Sequence, residues 1–161
     1  MATGGDHHGQ LAQIVLNNLE NQHDWTRLQL HNNTTPSRIL ISGLPPKRMY
    51  IHPDEQIDII KAEKALLNGA RLPQPPEFEW VLPVHLVETA TTKTFADVFD
   101  SIDTLPPGAK AEEANRDEEW AEWKQWRTTK RHKRILLAVV HDDSTVVYYF
   151  VHDGLVKPRQ N

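Results

Sequence analysis

Two short apolar runs near the end of the chain are rich in the residues that favour β-strands. They span Ile135 to Val140 and Thr145 to Val151, and the four residues between them, 141–144, read His-Asp-Asp-Ser. Val, Ile, Tyr and Phe suit a half-buried pleated surface, and Asp and Ser are typical of turns. The pattern therefore predicts a β-hairpin over residues 135–151.

The second strand of this hairpin is apolar on both faces. Successive side chains of a strand point to opposite faces, so the two faces carry, respectively, Val147, Tyr149 and Val151, and Val146, Tyr148 and Phe150. Such a strand needs cover on both sides. It is either a central strand covered by its own domain or a sheet edge that invites another chain.

The rest of the chain alternates between helical and strand patterns, which predicts an α/β domain. Helical spacing is present over residues 11–24, from Pro53 onwards with Ile57, Ile60 and Leu67 along one stripe, and over 94–102. Strand patterns cover 26–31, 38–42 and 78–88. Pro83 places the last of these at an edge or a bulge, because proline cannot donate to a sheet ladder.

The predicted organisation is a single domain with short tails. We expect residues 1–9 to form a disordered tail, residues 10–158 to form the domain, and 159–161 to form a second tail. A proline-rich connector covers 72–76. A charged helix is predicted over 109–132, with acids early and bases late, as the helix dipole favours. Trp120, Trp123 and Trp126 recur along it at three-residue spacing.

Composition excludes several classes of protein. The 161 residues carry a formal net charge of -4 and no cysteine, so neither a disulfide scaffold nor cysteine chemistry is available. No apolar run approaches the ~20 residues that span a bilayer, and residues 1–10 lack the apolar core of a signal peptide. The nine histidines show no recognised metal-ligand spacing. We expect a soluble, intracellular protein without metal or cofactor.

The chain resembles the tRNA-splicing (tRNA-intron) endonuclease family. The resemblance rests mainly on residues 133–158, where a basic residue precedes an apolar strand and an acidic turn leads into a Val-Tyr-Tyr strand. A weaker similarity runs from 50–56 (YIHPDEQ) and continues through 78–102. The overall pattern is most similar to the small non-catalytic subunit, the Sen-fifteen type. This resemblance implies a compact endonuclease-like domain, with helices around a short mixed sheet that ends in the C-terminal hairpin.

The resemblance also bears on catalysis. Active subunits of the family cleave RNA with a Tyr, a His and a Lys, in which an acid–base pair moves protons and a cation stabilises the phosphorane. Lys133 lies at or next to the position of that lysine. The segment 89–95 (TATTKTF) lacks the tyrosine and the histidine. The resemblance therefore implies a structural subunit rather than an enzyme, and Lys133 is otherwise interpreted as a solvated base at a helix end.

The resemblance implies two levels of assembly. The terminal strand would pair with a Sen-thirty-four-type catalytic subunit to form a heterodimer, through Val147, Tyr148, Tyr149 and Phe150. Asp142 and Asp143 would dock into a basic groove of the other heterodimer to form a heterotetramer. The alternative for the two aspartates is an ordinary turn.

A run of basic residues precedes the hairpin. The basic run offers Lys130, Arg131, Lys133 and Arg134 as possible contacts to RNA phosphates, or else as a solvated face.

We expect a structural subunit that supports splice-site recognition and intron excision from precursor tRNA. The alternatives are a catalytic RNA-cleaving member of the family and an unrelated α/β dimerisation adaptor. The expected compartment is the nucleus, although some family members act at the mitochondrial surface.

Overall fold

The structure is a computed structural model that describes residues 4–32, 38–66, 69, 71–72, 74–88, 92–109, 126 and 131–153. Along the chain, the elements are α1 (Gly4–Gln22), β1 (Thr26–His31), β2 (Leu40–Leu44), α2 (Pro53–Lys64), β3 (Glu79–His85), α3 (Thr92–Ser101), β4 (Arg134–Val140) and β5 (Val146–His152). The predicted α/β class and the terminal hairpin are confirmed. No helix within these ranges is both long and apolar enough to cross a membrane.

The five strands form one mixed sheet in the order β1-β2-β3-β4-β5. Strands β3 and β4 are parallel, with Val81 opposite Leu136 and His85 opposite Val140, and the other neighbouring pairs are antiparallel. Pro83 lies in a central strand, although the sequence suggested an edge or a bulge. Its position is tolerated because β2 pairs with β3 only through residues 79–81.

The core consists of two apolar clusters, one on each face of the sheet. Helix α1 covers one face, where its Leu11, Val15 and Leu19 pack against residues that include Val81 and Leu136. Helix α3 covers the other face through Val98 and Phe99, together with Ile102 directly after its end, as the predicted apolar face requires. The sheet is therefore sandwiched between helices over its central strands.

The N-terminal tail prediction is wrong for residues 4–9, which belong to helix α1. Three glycines and a polar composition conceal this part of the helix in the sequence. The histidines of the turn meet the end of β3: the ring of His7 lies 6.3 Å from that of His85. This contact is remote in sequence, and it helps to hold the first turns of α1 against the sheet.

Helix α2 buries a different face from the one that its apolar residues predict. His52 accepts a hydrogen bond from the N–H of Asp54, and Pro53 occupies the first turn, so the start of the helix is as expected. The residues that point inward are Glu55 and Ile59, whereas Ile57 and Ile60 are exposed. The apolar stripe noted in the sequence therefore does not face the core, and the buried Arg48–Glu55 ion pair joins Ile59 in attaching this helix.

The predicted charged helix over 109–132 falls largely outside the described residues, as do Trp120 and Trp123. Ala109 and Trp126 are helical, but Arg131 and His132 are not, so the prediction extends too far at its end. The indole N–H of Trp126 donates to Asp58 of α2 at 2.9 Å. The tail at 159–161 also lies outside the described residues.

Candidate subunit interface

Strand β5 lies at one end of the described sheet and pairs there only with β4. The pairing runs without interruption from Val146 opposite Val140 to His152 opposite Arg134. Of the two interpretations of this strand, the sheet edge is the one that the fold adopts. The outer side of an edge strand presents backbone N–H and C=O groups to which another strand can be added.

One face of β5 packs within the chain, against the cluster beneath α1. Val146, Tyr148 and Phe150 lie on this face. The Tyr148 hydroxyl donates to Oδ1 of Asn18 at 2.6 Å, and its ring meets the edge of His23. Burial raises the pKa of the Tyr148 phenol well above its usual range. The side chains of Tyr148 and Phe150 thus pack within the fold. Another subunit could contact this part of β5 only through the backbone edge of the strand and the surface that these side chains leave exposed.

The opposite face of β5 is partly open: Val151 packs against the second core cluster, whereas Tyr149 is exposed and offers apolar surface to a partner. Tyr149 is 56% exposed, and Val147 lies beside it on the same face. Their cross-strand neighbours on β4 are Leu137 and Val139, both only partly buried. We call Leu137, Val139, Val147 and Tyr149 the β5 patch. The sequence prediction missed its two β4 members, although their alternate positions in the first strand of the hairpin placed them on this face.

The turn between β4 and β5 presents two exposed carboxylates. Asp143 accepts the N–H of Thr145 at 3.0 Å, and hydrogen bonds from Thr145 lower the pKa of the Asp143 carboxyl. Ser144 has a φ of 68° and its N–H donates to the carbonyl of His141, which closes the turn. Asp142 lies 3.1 Å from Nε2 of His85. Asp143 therefore shapes the turn, and both acids remain accessible to a partner.

The basic residues proposed to touch RNA separate into different environments. Arg131 and Arg134 are buried, and Arg134 holds Glu79 through bonds of 2.9 and 2.6 Å while Arg131 holds Glu77 at 2.9 Å. Guanidiniums committed to buried carboxylates cannot reach phosphate in this fold. The predicted RNA contact is therefore wrong for Arg131 and Arg134, and Lys130 lies outside the described residues.

These two arginines belong to a buried charge cluster made of Arg48, Glu55, Glu77, Glu79, Arg131 and Arg134. Burial lowers the pKa of Arg131. Around Arg134 burial is also the largest single influence and lowers the pKa, but the neighbouring acids, Glu79 foremost, together outweigh it and raise the pKa. Both groups remain cations at neutral pH. Buried charges need partners, because an unpaired one costs several kcal/mol, on the order of 3–5. The cluster therefore favours the one arrangement of α2, β3 and β4 in which all of these charges are paired.

Lys133 has a partner of its own. Its Nζ donates to the carbonyl oxygen of Phe99 at 2.8 Å, in the last turn of α3. Cations near helix C-termini are stabilising, since the carbonyls there lack partners within the helix. Lys133 is partly buried rather than a solvated base at a helix end, so that interpretation is wrong. Lys133, which by resemblance lies at or next to the position of the family's catalytic lysine, thus caps a helix.

Two cavities lie away from the β5 patch. One of about 30 Å³ is flanked by Tyr50, His52 and His152, and it has room for about one or two water molecules. The other, about 350 Å³, has His31 and Trp80 in its wall, and burial lowers the pKa of His31. Within the part of the chain that the structure describes, no three His, Asp or Glu side chains stand together as metal ligands would.

Comparison with known sequences points to one family. The sequence model of the family described as Sen15 protein matches residues 14–161. This range includes the sheet, the buried charge cluster, the β5 patch and the acidic turn.

Individual relatives carry consistent names. The chain is 60% identical over 157 residues, which are 97% of its length and 68% of the relative's, to a Neurospora crassa protein named probable tRNA-splicing endonuclease subunit tsp-1. It is 32% identical over 106 residues (63% and 64%) to a Schizosaccharomyces pombe protein named probable tRNA-splicing endonuclease subunit sen15. An Eremothecium gossypii protein named tRNA-splicing endonuclease subunit SEN15 is 24% identical over 151 residues (94% and 91%).

Proposed function

The chain belongs to the Sen15 protein family, and from this premise we propose that it is a non-catalytic, structural subunit of the tRNA-splicing endonuclease complex. In this role it supports splice-site recognition and intron excision from precursor tRNA. The names of its relatives support a part in tRNA splicing. The observation that carries the structural role is the engagement of Lys133 in the fold.

Cleavage by the family's chemistry needs a cation beside the reacting phosphate and an acid–base pair. By resemblance Lys133 lies at or next to the cation's position, but its ammonium is bound to the Phe99 carbonyl 2.8 Å away. Residues 89–95, where the resemblance would place the tyrosine and the histidine, contain neither. A lysine without these partners binds anions but moves no proton at the attacking or leaving oxygen. The chain thus lacks the parts for RNA cleavage at this position.

The proposed partner is a Sen-thirty-four-type catalytic subunit, which would pair along β5. Strand addition at the edge supplies backbone hydrogen bonds, and the β5 patch supplies apolar surface beside them. Tyr149 is the proposed anchor, because a large aromatic with little conformational entropy is a typical hot spot. Tyr148 and Phe150 support the strand from behind, through their contacts with α1 and Tyr50.

The acidic turn is the proposed second contact, which joins two heterodimers into a heterotetramer. Asp142 and Asp143 project at the end of the hairpin, beyond the last paired residues Val140 and Val146. Exposed carboxylates contribute orientation and association rate more than affinity, and their contribution falls as salt rises. The turn and the β5 patch can therefore act separately.

Precursor tRNA would meet this chain through the complex. Of the described residues predicted to contact RNA, Arg131 and Arg134 are buried, and Lys133 is the one whose ammonium has further N–H donors. The nucleus is the proposed compartment, and this rests on the family resemblance alone.

The purified chain alone is expected to leave an intron-containing precursor tRNA intact, because the tyrosine and the histidine are missing. The assay incubates the chain with labelled precursor at concentrations up to those at which the complex cleaves. In parallel, the chain is co-expressed with the other subunits and purified through a tag on the catalytic one. Site-specific cleavage by the chain alone, or the absence of the chain from the purified complex, would contradict the proposal.

A further inference from the structure

Two turns that are far apart in sequence meet at one end of the sheet. The first follows β3 and spans His85 to Glu88, and the second follows β4 and spans His141 to Thr145. They meet because β3 and β4 are parallel, so that their carboxyl ends lie at the same edge of the sheet. The N–H of Leu86 donates to the Val140 carbonyl at 2.9 Å, which joins the first turn to the base of the second.

His85 links the two turns. Its Nδ1 accepts the N–H of Val87 at 3.2 Å, so in the neutral imidazole the proton is assigned to Nε2. Nε2 then donates to the Asp142 carboxylate 3.1 Å away. One side chain thus orients an apolar residue of the first turn and an acid of the second.

Glu88 fixes the first turn to the body of the domain. Its carboxylate accepts the backbone N–H of His85 and forms two bonds of 2.9 Å with the Arg38 guanidinium. Burial disfavours the charged form of Glu88, but the bonds from Arg38 and His85 outweigh it and lower the pKa of the carboxyl. The turn therefore keeps one conformation before any partner arrives.

This rigid end displays an unusual combination of side chains. Val87 is 76% exposed and Leu86 is 50% exposed. Both lie on the turn that His85 joins to Asp142 of the second turn. A single exposed apolar side chain needs no explanation. Here two stand in succession, on a turn held by six hydrogen bonds and by the contact of His85 with exposed Asp142.

We propose that Leu86, Val87, Asp142 and Asp143 form one docking knob, which inserts into a concave surface of another subunit that combines an apolar pocket with lysine or arginine side chains. The proposal rests on the proposed function and deepens its acidic contact. Charge complementarity sets the chemistry of the partner, because exposed carboxylates favour a cationic wall. The apolar pair supplies the affinity that exposed charges alone do not give. Rigidity lowers the ordering cost of binding.

Two double variants separate the two halves of the knob. Leu86→Ser/Val87→Ser removes the apolar half, and Asp142→Asn/Asp143→Asn removes the charge. Leu30→Ser is the matched control, since Leu30 is an exposed apolar residue on β1, at the far end of the sheet. Each variant is assembled with the other subunits, and the tetramer–heterodimer dissociation constant is measured by light scattering over a dilution series, at low and moderate salt.

Both double variants should raise that dissociation constant at least about tenfold at low salt, and the control should not change it. The effect of the asparagine variant should shrink as salt rises, whereas that of the serine variant should persist, because only the first is electrostatic. The heterodimer should form normally in each case. Val87→Thr keeps the shape of this exposed side chain and makes it more polar. The variant should fold normally and give a smaller loss in the same direction.

An unchanged dissociation constant for Leu86→Ser/Val87→Ser, with the asparagine variant still impaired, would overturn the knob and leave the structural subunit in place. If neither double variant changes assembly, the knob and the acidic contact both fail, while a heterodimer that forms still supports the proposed function. If no complex forms with the wild-type chain, the proposed function fails and the knob fails with it. A loss confined to precursor tRNA binding, with the tetramer intact, would also overturn the knob.

Discussion

Replacing Tyr149 by alanine is expected to weaken binding to the catalytic subunit by roughly 30-fold or more and to leave the stability of the isolated chain almost unchanged. Tyr149 is 56% exposed and lies on the open face of the edge strand. Truncating a central interface aromatic costs ~2 kcal/mol or more, which corresponds to that factor in affinity. Isothermal titration calorimetry with the Sen-thirty-four-type subunit measures it directly.

Tyr148→Phe provides the matched contrast on the neighbouring residue. It removes the hydroxyl that donates to Asn18 at 2.6 Å, so it should lower the unfolding free energy by about 1 kcal/mol and the melting temperature by a few degrees. Its affinity for the catalytic subunit should match that of the wild type. If Tyr149→Ala binds normally, or if Tyr148→Phe alone impairs binding, the β5 patch is not the heterodimer interface.

Glu79→Ala should cause the largest loss of stability, on the order of 3–5 kcal/mol, because it leaves the Arg134 and Arg131 guanidiniums buried without their shared carboxylate. For a domain of this size, we expect the melting temperature to fall by roughly 10 °C or more. Thermal and urea unfolding of the isolated chain measure the change. Heterodimer formation should decline in parallel, since the cluster anchors the start of β4, the first strand of the hairpin.

The control for Glu79→Ala is Glu20→Ala, on the exposed side of α1, which should stay within about 0.5 kcal/mol of the wild type. Adding Arg134→Met to Glu79→Ala should recover part of the loss, because both members of the closest pair are then uncharged. A loss for Glu79→Ala no larger than for Glu20→Ala would show that the buried charge cluster contributes little to stability.

The hairpin could be predicted from the sequence because its signals are local. Two β-branched and aromatic runs and a turn of Asp and Ser determine it without reference to the rest of the chain. The same holds for the apolar face of α3, where Val98, Phe99 and Ile102 recur at helical spacing and are buried. Where local pattern and tertiary packing agree, the prediction is right.

Helix α2 shows where local pattern fails. Its apolar Ile57 and Ile60 share a stripe at helical spacing, yet both are exposed, and the buried side chain beside Ile59 is the carboxylate of Glu55. That burial depends on Arg48, which precedes the helix. Hydrophobic periodicity carries no information about a charge that is neutralised by a partner outside the helix. For the same reason, Arg131 and Arg134 resembled a solvated basic face in the sequence.

The docking knob depends on topology rather than on pattern. His85 and Asp142 are 3.1 Å apart only because β3 and β4 run parallel. Nothing in the sequence pairs these two strands in preference to others. Lys133 is similar, since its interpretation as a solvated base changes once α3 is seen to end beside it.

We propose that this chain supports cleavage without performing it. The most direct test is the single-turnover rate of precursor tRNA cleavage by the complete complex that carries Lys133→Met in this chain, compared with the wild-type complex. Methionine keeps much of the side-chain length and removes the charge, and the variant complex is first shown by light scattering to be intact. We predict rates within about twofold of each other at both splice sites. A fall of about 100-fold or more at either splice site, in an intact complex, would make Lys133 a catalytic residue and contradict the structural role.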